Sequence, residues 1–179
     1  MKKLGAFLLM ASIAGCTNGF SQELSPNRTK SLLGLDYTPA ISLNSGLVHQ
    51  YIGIHDVIMF KNQKIYARLS EGIKFYRPEK QSKTKTLIET GLEMGVKLTK
   101  IKKWNIYGCG GGGGGYSNDF FAGHWQAGTK GVLFNAWNEV HLEVSLRYMR
   151  YYFDNGTSNG TDNQLAIGVG VWLFDWSPW

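Results

Sequence analysis

Apolar side chains recur at every second position along much of this chain. Val140, Leu142, Val144, Leu146 and Tyr148 alternate with His141, Glu143, Ser145, Arg147 and Met149. Leu165, Ile167, Val169, Val171 and Leu173 alternate with Gln164, Ala166, Gly168, Gly170 and Trp172. Successive strand side chains point to opposite faces of a sheet, so each segment has one apolar face and one polar or tightly packed face. The same period runs through 88–98, 65–75 and 33–43. It has exceptions: Gln50 and Asp56 fall on the face of Ile52 and Ile54, and Glu71 falls among Ile65, Leu69 and Ile73. A bulge or a displaced strand boundary would account for each.

The pattern predicts strands near 31–43, 47–60, 64–76, 86–98, 104–116, 120–134, 138–152 and 163–174, with no helical period in between. Eight strands in succession read as an all-β, antiparallel up-and-down barrel. A soluble barrel turns its apolar face inward, whereas a membrane barrel turns it to lipid and fills the lumen with polar groups. The two readings lead to different functions.

The N-terminus favours the membrane. Met1, Lys2 and Lys3 form a short cationic start, followed by an apolar run over 4–15 that is too short to span a bilayer as a helix. This is the pattern of a secretory signal, read as residues 1–21 with cleavage after Ser21. The alternative is a lipoprotein signal, 1–15, because Ile13-Ala14-Gly15-Cys16 would leave Cys16 lipidated. Residues 22–179 are then the barrel. Cys109 is the one thiol left in that domain, so no internal disulfide is expected. Without Lys2 and Lys3 the formal charge falls from +6 to +4, too mild to indicate nucleic acid. No later segment is long and apolar enough for a transmembrane helix, which leaves strands as the means of crossing.

Loops and aromatic residues give the same orientation. With the N-terminus in the periplasm, the inner links at 61–63, 99–103 and 135–137 are short. The outer links at 77–85 and 153–162 are longer, and 117–119 is brief. Short periplasmic turns and longer external loops are the outer-membrane pattern. Phe75, Tyr76, Tyr116, Phe120, Phe121, Tyr151 and Tyr152 would gather at the outer rim. Phe60, Trp104, Phe134, Trp137, Phe174 and Trp176 would gather at the inner one. Rings of this kind favour the headgroup level.

The chain resembles the small eight-stranded outer-membrane β-barrel proteins of Gram-negative bacteria. The resemblance covers nearly all of the mature chain and includes the aromatic-ended terminal strand over 164–174. It implies outer-membrane localisation in the cell envelope, contact with outer-membrane lipid and lipopolysaccharide, and handling by the barrel-insertion machinery. It also implies a monomer, while membership of a larger envelope assembly stays open. One departure is the tail Asp175-Trp176-Ser177-Pro178-Trp179 beyond that strand.

An eight-stranded barrel is only wide enough to be filled by its own side chains. The expected lumen charges are Asp36, Arg68, Lys74, Glu89, Glu93, Lys97, Lys130, Glu143 and Arg147, joined by His124 and His141. Buried charges need partners, so the reading is a charged structural plug rather than a pore.

Other motifs give weaker chemistry. Residues 110–115 are six consecutive glycines, with no Gly-Lys-Ser/Thr after them and no helix, so they are not a phosphate loop. They could form a groove in the wall, or make room for Tyr66 or Trp125. A lipid A deacylase would need a His-x-Ser pair near the outer end of a strand, and here the stretch reads Arg150-Tyr151-Tyr152. His141 and Ser145 share a face but sit roughly 13 Å apart along a strand. His49 and His55 have poor metal spacing. No catalytic residue, metal or cofactor is therefore assigned. Arg77, Lys80, Lys83 and Lys85 make the 77–85 loop basic, a candidate contact for lipopolysaccharide phosphates or simply a solvated loop. The 154–162 stretch is rich in oxygen ligands but lacks the spacing of a calcium loop.

The expected function is an outer-membrane barrel with a packed charged lumen and a structural or surface-binding role through its external loops. The rivals are a lipid-modifying outer-membrane enzyme and a soluble periplasmic barrel that binds a small apolar ligand.

Overall fold

The computed structural model describes residues 28–60, 63–77, 84–137, 140–154 and 159–175. The signal region, its cleavage sites and the terminal 176–179 lie outside the described residues. Eight strands run β1 (Arg28–Ser42), β2 (Val48–Phe60), β3 (Ile65–Tyr76), β4 (Lys85–Ile101), β5 (Trp104–Tyr116), β6 (Phe121–Trp137), β7 (Val140–Asp154) and β8 (Asn159–Asp175). Each pairs antiparallel with its neighbours in sequence, and β1 pairs with β8 to close the barrel. No helix is present among the described residues.

The register fixes the barrel's geometry. From Asp36 the cross-strand partners run through Gly53, Gly72, Glu89, Gly115, Ala122 and Phe153 to Gly160 on β8. On the closing side Asp36 instead meets Gly170, ten residues further along β8 (170 against 160). That stagger tilts the strands steeply and leaves a bore that side chains fill.

The apolar rows face outward. On β7, Leu142, Val144 and Leu146 are exposed while Glu143, Ser145 and Arg147 are buried. The same division holds on β4, where Ile88, Leu92, Met94 and Val96 lie outside and Glu89 and Glu93 inside. A soluble barrel with an apolar interior would have the opposite arrangement.

The inner turns are tight. Ile101 pairs with Trp104 across Lys102 and Lys103, with Lys102 at φ 53°. Gln63 and Asn135 also take positive φ at this end. At the outer end Gly46 takes φ 73° between β1 and β2, a conformation glycine adopts without a Cβ clash.

Three expectations are corrected. The outer link over 153–162 is mostly strand, with Phe153 paired to Gly160 and Tyr151 to Asp162, so only 155–158 remains between β7 and β8. The oxygen-rich stretch is thereby spread over two paired strands. Second, the Gln50 and Asp56 exceptions reflect neither a bulge nor a boundary error. The β2–β3 register is unbroken from Gln50 to Phe60, and Gln50, Asp56 and Glu71 sit on the outward face. Third, the aromatic girdles are only partial. Phe75, Tyr116, Phe121, Tyr152 and Trp137 are exposed, but Tyr76, Phe120 and Tyr151 turn inward and Phe134 packs in the lumen.

Candidate functional site

Inward side chains build the lumen in layers. At the inner end Leu32, Val57, Met59, Tyr66, Tyr107, Val132 and Trp172 form an apolar layer, joined by Cys109 and Phe134. Tyr66 lies across Gly95, with its ring where a Cβ on that residue would stand. Gly95, not the glycine run, therefore makes room for Tyr66. Trp125 leans on the outside toward Tyr148, its ring 5.4 Å away.

A charged belt crosses the middle. Arg68 Nη1 donates to both carboxylate oxygens of Glu143, at 2.8 and 3.1 Å, and its Nη2 donates to Asp36 Oδ2 at 2.7 Å. Lys130 Nζ lies 2.5 Å from Glu93 Oε1 and 3.1 Å from Glu143 Oε1. Arg147 Nη1 lies 3.7 Å from Glu93 Oε2, and Arg147 also donates to Thr38 and Gln126. The Tyr66 hydroxyl donates to Glu93 and the Trp172 indole to Glu143. Three cations (Arg68, Lys130, Arg147) thus face three acids (Asp36, Glu93, Glu143). This balance of charge, with side-chain hydrogen bonds to both oxygens of Glu93 and of Glu143, offsets the desolvation penalty of burying the belt, while Asp36 Oδ1 is left without a hydrogen bond.

Above the belt Lys74 Nζ donates to Gln164 at 2.7 Å and sits 3.5 Å from the Tyr151 ring centroid. Glu89 accepts from the Tyr151 hydroxyl at 3.2 Å. Asp162 accepts from Ser42 and Gln164, and His49 Nε2 lies 3.4 Å from it. Tyr76, Phe120, Phe153 and Tyr151 then close the outer end, with Tyr76 and Phe153 stacked at 4.7 Å. A cavity of about 30 Å³ remains among Lys74, Glu89, His124 and Arg147. That is room for a water or two.

Of the residues singled out from sequence, eight of the nine lumen charges are buried; Lys97, at the inner end of the inward row of β4, is only half-buried. Its backbone N–H donates to Lys64 O at 2.8 Å. The basic outer loop divides differently. Arg77 is exposed and its backbone N–H donates to His49 Nδ1, whereas Lys85 pairs with Asp119 at 2.8 Å. Lys80 and Lys83 lie outside the described residues. Sequence reasoning left out Tyr66, Gln126, Thr38 and Trp172 as partners of the belt. Their position on the inward parity of each strand was the available signal.

The histidines serve the lumen in separate places. His55 Nδ1 lies 3.6 Å from Asp36, and His124 stacks on Tyr151 at 4.9 Å. His141 Nδ1 accepts the backbone N–H of Asn135. Among the described residues no group of three or more His, Cys, Asp or Glu side chains is placed to hold a metal.

No family model and no curated protein matches the chain. Among solved structures it is similar to Neisserial surface protein A, at 13% identity over 82% of this chain and 99% of that one, with a TM-score of 0.49. It is similar to Ail, the attachment invasion locus protein of Yersinia pestis, at 12% identity over 80% and 98%, TM-score 0.46. A de novo designed transmembrane β-barrel matches at 14% identity over 82% and 99%, TM-score 0.47.

Proposed function

We propose that this chain is an integral outer-membrane barrel whose lumen is closed by its own side chains, and which acts by binding at its outer rim. The observation that carries this reading is the alternation on β7, with Leu142, Val144 and Leu146 exposed and Glu143, Ser145 and Arg147 buried. An outward apolar wall around a neutralised charged core suits lipid outside and no bulk water inside. The filled bore argues against solute transport.

The basic 77–85 connection is the candidate contact for lipopolysaccharide phosphates. With Lys85 held by Asp119, the charge left for a ligand there falls to Arg77, Lys80 and Lys83. The barrel is proposed to insert as a monomer, with the terminal strand presented to the insertion machinery.

Cell fractionation with boiled and unboiled gel electrophoresis tests this reading. An outer-membrane band that migrates differently before boiling is the expected result. A soluble protein with one mobility would overturn it.

A further inference from the structure

The inner end of the barrel carries a group of cations that neither the lumen belt nor the outer loops use. Lys64 lies in the β2–β3 link, Lys97 and Lys100 near the inner end of β4, and Lys102 and Lys103 form the β4–β5 turn. Lys97 is half-buried and the other four are exposed. Neither 57–70 nor 94–118 contains an acid, and the third inner link, 135–139, contains no lysine or arginine. Among the described residues none of the five lysines is in an ion pair. The charge is therefore confined to one side of this end and is unmatched there.

The backbone gathers these cations in three ways. The Lys97 N–H donates to Lys64 O at 2.8 Å and the Tyr107 hydroxyl to Gln63 O at 2.9 Å, which holds the β2–β3 link against β4 and β5. The β4–β5 register also shifts between Lys97 and Thr99. In an unbroken ladder Lys100 would stand opposite Trp104, on the outward parity of Val96 and Leu98. The shift places it opposite Asn105, on the inward parity of Lys97 and Tyr107. Bulges re-aim side chains in this way, and here the result is a lysine at the barrel mouth instead of on the lipid-facing wall. Third, Lys102 takes φ 53° at the first position of a two-residue turn, a place glycine fills at less cost.

Two side-chain amides lie among the lysines. Gln63 is half-buried in the β2–β3 link, and Asn105 has a carbonyl oxygen with no hydrogen-bond partner.

We infer that the inner ends of β2–β3 and β4–β5 form a docking surface for an acidic polypeptide segment of a periplasmic partner. Carboxylates spaced along a chain match five separate ammonium groups, whereas phosphate recognition favours the forked guanidinium, which neither link contains. A polypeptide also brings N–H and C=O groups for the two amides. The turn of Lys100 away from the outer wall argues against a lipid headgroup as the occupant. The inference rests on the outer-membrane reading above for the side of the membrane this face meets.

The test titrates the full mature protein, in neutral detergent micelles, into a fluorescently labelled polyglutamate peptide and reads binding by anisotropy. Wild type should bind, and less tightly as salt is raised. Lys100→Gln together with Lys103→Gln should weaken binding about tenfold, while Lys100→Arg with Lys103→Arg keeps the charge and should retain it. Phosphatidylglycerol in the micelles, or polygalacturonate as a carboxylate polymer without amides, should displace the peptide poorly. No binding by wild type, or equal binding by the glutamine pair, would overturn the surface. Ready displacement by phosphatidylglycerol would assign the lysines to lipid headgroups, and by polygalacturonate to any polyanion; either overturns the polypeptide site. Gel mobility of the same samples separates the two claims: a boiling shift without peptide binding removes only this surface, while absence of the shift in wild type removes the membrane reading with it.

Discussion

Arg68 and Glu143 meet across the lumen from β3 and β7, four strands apart on opposite walls, with Nη1 of the arginine 2.8 and 3.1 Å from the two carboxylate oxygens. β3 and β7 share no backbone ladder, so this contact ties together walls that the sheet connects only the long way round. Glu143 also faces Lys130 at 3.1 Å. Replacing it by Leu leaves two buried cations short of one acid. Glu143→Leu is expected to cost about 3–5 kcal/mol, read from urea unfolding by tryptophan fluorescence. Arg68→Leu combined with Glu143→Leu restores the balance of charge and is expected to recover part of that loss. A single variant as stable as wild type would show that the belt does not brace the barrel.

The glycine run is crowded at its inward positions and open at Gly110 and Gly114, with Gly112 the outward exception, where a Cβ would fall 2.8 Å from the His124 carbonyl oxygen. A Cβ on Gly111 would fall inside contact distance of the Leu92 carbonyl, and one on Gly113 inside that of Thr90. On Gly110 it would sit 3.5 Å from the Gln126 carbonyl, an ordinary contact. Gly111→Ala is expected to destabilise by about 1–3 kcal/mol, through forced shifts in a closely packed wall. Gly110→Ala should be neutral or stabilise by about 0.4–1 kcal/mol, because it restricts the unfolded chain. Unfolding curves of the two variants side by side check this, and equal losses would mean that the run acts as one flexible unit.

Much of this was legible in the sequence, for a physical reason. Period two is a direct consequence of the pleat, so Val144 and Ser145 could be assigned to opposite faces before any register was known. The pairings were not legible: that Arg68 reaches Glu143 rather than its strand neighbour Glu93 depends on the ten-residue stagger around the barrel. The aromatic residues misled because residue type was given more weight than parity. Tyr76 and Tyr151 share the inward parity of Lys74 and Arg147, and they close the lumen instead of meeting headgroups.

Glu71 sits on the outward face between Leu69 and Ile73, opposite Ile54, and its Oε1 has no hydrogen-bond partner. A carboxyl within an apolar, lipid-facing row is costly, though less so than a basic residue at the same depth. Glu71→Leu is expected to raise unfolding stability by about 1 kcal/mol in vesicles. A loss of stability would instead indicate that this face of β2 and β3 is covered by protein.

The central claim is that apolar side chains face lipid and charged ones face a closed lumen. Spin labels at Val144, Ser145 and Leu146, introduced one at a time on a Cys109→Ser background in vesicles, test it most directly. Val144 is 46% exposed and Ser145 2%. Labels at 144 and 146 should collide with oxygen and not with a water-soluble nickel complex, and the label at 145 should meet neither freely. Nickel access at 144 and 146 would contradict the claim and put water where lipid is placed here.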